Sequence, residues 1–263
     1  MKGGIRYFDI RIYRDKDGVF RFYHGYVKGG LAALPTFELV RDFLREHPQE
    51  FVVLHFQHFD KINFDEHRLL INSVLTIFDM MPIAKCDYDG EIGNVTLNKI
   101  RMKKQQVFLV SYDPMTEQVD NCTFWNGSAL INPYYPTTKW ETMAKTLGIE
   151  LVNRTIEYKK LKPDRFFVYQ GVLTPDAKYI IEHLEGTLKD LALPATKYIA
   201  TEWMPNMVAK NCTNAGAVNI IMCDFINYYD YVTNIAMTNW NFDKCNDDND
   251  FLESLMTLEE TIA

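Results

Sequence analysis

Three side chains near the start of the chain have the types and spacing for phosphate chemistry: Asp9, Arg11 and His24. In the stretch Gly4-Ile5-Arg6-Tyr7-Phe8-Asp9-Ile10-Arg11-Ile12, strand alternation places Tyr7, Asp9 and Arg11 on one face and Phe8, Ile10 and Ile12 on the other. His24 follows the turn signal Asp15-Lys16-Asp17-Gly18 and a second extended segment, Val19–Tyr23, and it immediately precedes Gly25. At the end of that segment it is expected to meet Asp9. A carboxylate beside an imidazole favours the protonated ring, which suits a general acid near neutral pH. Arg11 adds a permanent positive charge for a phosphate oxygen. The structural alternative is an ion pair of Asp9 with Arg11 or Arg6, and on the strand alone it is the more economical reading.

Other polar residues sit at the ends of apolar runs. Asp224 closes Val218–Phe225, where a helix cap or a loop ion pair accounts for it without further chemistry. His55, Gln57 and His58 close Phe51–Phe59. Two histidines three apart on a regular strand face opposite ways, so no shared metal is expected there. Neither Arg11 nor Gln57 is a calcium ligand. His47 and His67 fall on helical surface sequence and His183 within a helix. Tyr134, Tyr135, Trp140, Tyr228, Tyr229 and Tyr231 are expected mainly in packing.

The run from Gly4 to Ile12, followed by Tyr23-His24-Gly25, resembles the X domain of phosphatidylinositol-specific phospholipase C, in particular the metal-independent bacterial enzymes and the eukaryotic X-domain-only proteins. The resemblance implies that Asp9 holds His24, the general acid on the leaving oxygen. It also implies that Arg11 occupies the place of a calcium ligand of the metal-dependent members, so that no cofactor is needed. Asp224 then matches the aspartate that orients a general-base histidine. Gln57 falls where metal-dependent members place an acid and His58 matches a His-Phe of the X-domain-only proteins, which puts both on the substrate side. The reaction implied is internal phosphoryl transfer on a glycerophosphoinositide, with a phospholipid at a membrane surface as partner. The family's opening strand and its histidine-bearing loop have no counterpart before Met1, so an N-terminally truncated domain with impaired or purely binding function is expected.

Positioning these groups requires a sheet covered by helices. The 263 residues are 47% hydrophobic, ample for one large core. Strands are expected at Phe51–Phe59, Val107–Tyr112, Ala129–Asn132, Phe166–Gln170 and Val218–Phe225. Helices are expected at Thr36–Glu46 with Thr36 as cap, and at Phe64–Met80, Thr138–Leu151, Pro175–Leu191 and Tyr228–Met237. This βα alternation suits an α/β fold, a distorted or incomplete (β/α)8 barrel over residues 1–245 with an acidic tail at 246–263. The formal charge of −7 argues against a nucleic-acid partner, and no apolar run is long enough to span a membrane. A monomer is expected. Cys86, Cys122, Cys212 and Cys245 lie in loop-like sequence and can form two disulfides, leaving Cys223 a buried thiol. With sequons at Asn94, Asn121, Asn126, Asn153 and Asn211, they favour a secreted or lumenal glycoprotein.

Overall fold

The turn at Asp15–Gly18 folds the chain back on itself as expected. The Asp15 carboxylate accepts from the backbone N–H groups of Asp17 and Val19 at 3.0 and 2.8 Å, and Gly18 takes the positive φ of 78° that closes the loop. Strand β1 (Tyr7–Arg14) thereby pairs antiparallel with β2 (Phe20–His24). A second hairpin, turning at Gly25 with φ 56°, adds β3 (Val27–Ala32). The computed structural model describes residues 1–160, 165–205 and 218–240. They form two compact units, Met1–Ala129 and Leu130–Ala263.

In the first unit, β4 (Val52–Asp60), β5 (Val107–Ser111) and β6 (Trp125–Asn126) continue the sheet in parallel, in the order β3-β2-β1-β4-β5-β6. Ile10 and Ile12, Val52, Leu54 and Phe56, and Val107 and Leu109 all point to one side. There they meet Phe37, Val40 and Leu44 of α1 (Ala33–Glu46) and Leu70, Ile71 and Val74 of α2 (Phe64–Phe78). Each fully buried aliphatic or aromatic side chain in such a layer contributes about 1.5–3 kcal/mol of transfer free energy.

Helix α2 starts with a reciprocal box, Asn63 accepting from the Glu66 N–H while the Glu66 carboxylate accepts from the Asn63 N–H. Helix α1 starts earlier than expected. Pro35 fits its first turn, and Thr36 lies inside the helix with its hydroxyl donating to the Ala32 carbonyl at 2.8 Å instead of capping it. Two short helices, α3 (Leu97–Met102) and α4 (Pro114–Val119), carry too few apolar positions to be legible as periodic segments. His67 is a correction: it is fully buried, not on the surface, with Nε2 2.9 Å from the Thr116 hydroxyl. Cys86 and Cys122 form a disulfide, with Cα atoms 5.0 Å apart.

The second unit has three parallel strands, β7 (Leu130–Ile131), β8 (Phe166–Gly171) and β9 (Ile220–Cys223). Helix α5 (Trp140–Lys160) is longer than expected. The single helix expected from Pro175 is broken into α6 (Ala177–Glu182) and α7 (Leu188–Tyr198), because Thr187 and Asp190 make a new capping box. One π-helical turn, Ile199–Trp203, follows, and a further helix covers Tyr231–Trp240. Met143, Leu147, Phe167, Tyr169, Leu191, Ile199 and Trp203 form the core of this unit. The Cys223 thiol donates to the Gly171 carbonyl at 3.0 Å, and burial pushes its pKa up to about 12. Cys212, Cys245, the Asn211 sequon and the 246–263 tail lie outside the described residues. Among the described residues, no helix is long and apolar enough to cross a membrane.

Candidate functional site

The sheet face of the first unit that points away from α1 and α2 is polar along its middle. On β1, Asp9 and Arg11 project there and form a forked ion pair, Nε to Oδ1 at 3.3 Å and Nη2 to Oδ2 at 3.2 Å. The Arg11 and Asp9 side chains retain 27% and 21% exposure, so the pair is partly shielded from solvent. Arg6 turns instead to Glu50 at 2.7 Å. Of the two ion pairs the sequence allows for Asp9, the one with Arg11 is formed.

Strand β4 supplies the histidines. Asp9 stands opposite His55 and Ile10 opposite Phe56, but Arg11 stands opposite His58, so Gln57 is an extra residue in a bulge. Past it, Phe59 pairs with Ile12 and stacks on Phe56, with ring centroids 6.2 Å apart and planes at 12°. Both phenylalanines therefore keep to the helix side, and His55 and His58 share the polar side. The expectation that these histidines face opposite ways is corrected by that one inserted residue. Among the described residues, no group of three or more His, Cys, Asp or Glu is placed to hold a metal ion.

Each histidine has a tyrosine on its Nδ1. The Tyr7 hydroxyl is 2.7 Å from His55 Nδ1, and the Tyr23 hydroxyl hydrogen-bonds His58 Nδ1. His55 is fully buried, its ring 5.0 Å from that of Tyr112, and its Nε2 has no partner among the described residues. Burial lowers its pKa to about 4, with Asp9 pulling it up and Arg11 pushing it further down. Desolvation likewise raises the Tyr7 phenol, so this pair is neutral near pH 7. His58 is exposed, and Tyr23 packs edge-on against Tyr13 with ring centroids 6.1 Å apart.

His24 ends β2 opposite Val27, exposed at the hairpin tip beside Gly25. Its side chain has no partner among the described residues, and the expected Asp9–His24 contact is not formed: the β1–β2 ladder ends at Ile12 and Phe22, and His24 pairs with β3 instead. Gln57 is half-buried in the bulge. Asp224 belongs to the second unit, following β9, where its carbonyl accepts from the Thr196 hydroxyl at 2.7 Å. The site residues that sequence reasoning missed are Tyr7 and Tyr23 as partners and His55 as a member. The run Phe51–Phe59 opens with four consecutive apolar residues, so its faces and its inserted residue could not be read from alternation.

No family model matches the chain. It is 28% identical over 242 residues to PI-PLC X domain-containing protein 2 of Mus musculus, covering 91% of this chain and 66% of the relative. It is 28% identical over 254 residues to PI-PLC X domain-containing protein 3 of Homo sapiens, covering 92% and 70%. The chain thus spans about two-thirds of the length of these curated relatives. Among solved structures, the phosphatidylinositol-specific phospholipase C from Listeria monocytogenes matches with a TM-score of 0.63 at 19% identity, covering 90% of this chain and 79% of that one. A Staphylococcus aureus enzyme of the same name matches with a TM-score of 0.60 at 15% identity, covering 89% and 80%. At such identities the likeness is one of fold, and the fold is α/β with parallel strands. The resemblance carried by Gly4–Ile12 and Tyr23-His24-Gly25 therefore extends over about nine-tenths of the chain, and the family it points to is that of the PI-PLC X-domain proteins.

Proposed function

We propose that the chain carries the phosphate-handling face of a phosphatidylinositol phospholipase C-like phosphodiesterase. The observation that carries this reading is the partly shielded Asp9–Arg11 pair on the polar face of the sheet. In the reaction, an inositol hydroxyl attacks phosphorus and the diacylglycerol oxygen leaves with a proton, giving a cyclic phosphodiester. Charge builds on the phosphoryl oxygens as the nucleophile adds, and a fixed guanidinium stabilises it without reorganising. Arg11 is held in one orientation by the two bonds to Asp9, so its charge is pre-aimed. His24, exposed at the end of β2, is the proton donor to the leaving oxygen in this reading, and Gln57 and His58 contact the head group. Compartment follows the same logic: the Cys86–Cys122 disulfide and the exposed Asn121, Asn126 and Asn153 support a secreted or lumenal location.

A second reading, a catalytically silent lipid-binding domain, is favoured by one observation, the missing Asp9–His24 contact. Release of cyclic inositol phosphate from phosphatidylinositol vesicles in the presence of a chelator separates the two. Turnover that falls about 100-fold or more in Arg11→Ala supports the enzyme. Equal turnover by wild type and Arg11→Ala overturns it, and co-sedimentation with vesicles without turnover selects the binding domain.

A further inference from the structure

The two tyrosine–histidine pairs make the same hydrogen bond, but only one of them is open to a ligand. Tyr23 is a phenol held in its neutral form, its pKa raised by desolvation first and by the charge of Asp60 second. A neutral phenol has a proton to give, and Nδ1 of His58 is the atom it meets. With the phenol as the donor, the neutral imidazole accepts at Nδ1 and carries its own proton on Nε2. That Nε2–H has no protein partner among the described residues, and its ring is exposed. Across the bulge, His58 is the strand neighbour of Arg11. The guanidinium gives Nε and Nη2 to Asp9, which leaves the Nη1 group for a ligand.

We propose that Arg11 and the His58 Nε2–H form a two-point site for the oxygens of a phosphate ester, with Tyr23 as the positioning residue that fixes the His58 tautomer. This rests on the phosphodiesterase reading for the identity of the ester, but not for the site itself. Two carboxylates face the pair. Asp9 is neutralised by Arg11, and Asp60, opposite Tyr13 on β4, stands beyond Arg11 towards the strand end. The bulge at Gln57 is the enabling feature, because it brings His58 to the position opposite Arg11.

The test is nitrogen NMR of the histidine rings in the full chain at neutral pH, titrated with inorganic phosphate and, separately, with soluble glycerophosphoinositol. Either ligand moving the His58 Nε2 signal supports the site, and which of them binds more tightly tells free phosphate from a head group. Arg11→Gln should weaken binding about tenfold or more, equivalent to about 1.4 kcal/mol. Tyr23→Phe should convert His58 from the Nε2–H form to a mixture of tautomers and weaken binding roughly threefold to tenfold. The ring signals of His55 report an intact sheet in every variant, so loss of folding is not mistaken for loss of binding. His58 signals that stay still under both ligands, or a tautomer unchanged in Tyr23→Phe, overturn the proposal. Vesicle turnover is scored separately: a protein that binds phosphate at His58 without turning over lipid loses the phosphodiesterase reading and keeps this one.

Discussion

Tyr7–His55 and Tyr23–His58 are the same chemical pair, three residues apart on β4, set in opposite surroundings. The first is sealed: His55 is fully buried, held neutral with a pKa of about 4, and its Nε2 has no partner among the described residues. The second lies at the strand's end, where His58 is exposed. The difference teaches that depth along the strand, rather than residue type, divides a structural histidine from one able to meet a ligand. A buried ring is paid for in desolvation and returned in packing, whereas an exposed ring keeps its hydrogen-bonding capacity for something else.

The comparison breaks most visibly in stability. His55→Ala removes a buried ring packed against Tyr112 and leaves the Tyr7 hydroxyl without its hydrogen-bond partner, and it should cost about 2–4 kcal/mol in urea unfolding. His58→Ala at the exposed position should stay within about 0.5 kcal/mol. Equal losses for the two would erase the distinction.

Acid should separate them in the same direction. The folded pKa of His55, about 4, lies below the ordinary 6.5, so the unfolded chain takes up this proton first. The stability it contributes is complete above pH 6.5 and is lost as pH falls towards 4, at up to about 1.4 kcal/mol per pH unit. Asp9 opposes this shift and Arg11 and burial promote it, so His55→Leu should flatten the stability curve across that window, an effect that belongs to the buried ring. A smaller effect belongs to the phenols. Tyr7→Phe strands a buried Nδ1 and should cost about 1–2 kcal/mol, while Tyr23→Phe should change stability little.

Much of this face was legible in the sequence. Alternation alone put Tyr7, Asp9 and Arg11 together against an apolar Phe8, Ile10 and Ile12, and of the two ion pairs left open for Asp9 the one with Arg11 is observed. The Asp15–Gly18 turn and the inward faces of α1 and α2 follow from local chemistry and periodicity. What stayed hidden depends on contacts between distant segments. His67 is buried because α4 brings Thr116 to its Nε2, 49 residues away in sequence. His24 misses Asp9 because the β1–β2 ladder ends at Ile12 and Phe22, and where a ladder ends is invisible to a motif. The second tyrosine–histidine pair depends on a register shift, which alternation assumes away.

That register shift yields the subtlest test. Removing Gln57 leaves His55, Phe56, His58 and Phe59 in uninterrupted alternation, with Phe56 and Phe59 still on the core side and both histidines still on the polar side. A strand that loses an ordinary residue flips every later side chain to the wrong face, but a strand that loses its bulged residue is merely straightened. Deletion of Gln57 should therefore cost no more than about 1 kcal/mol, comparable with an ordinary surface change. Deletion of Phe56 straightens the strand too, but it puts the Gln57 amide where a fully buried ring packed in the core, and it should cost about 3–5 kcal/mol. If the two deletions are equally damaging, Gln57 is not an extra residue and the bulge is not the device that gathers the histidines; if only the second is, the bulge is what keeps His58 opposite Arg11 while Gln57 is present.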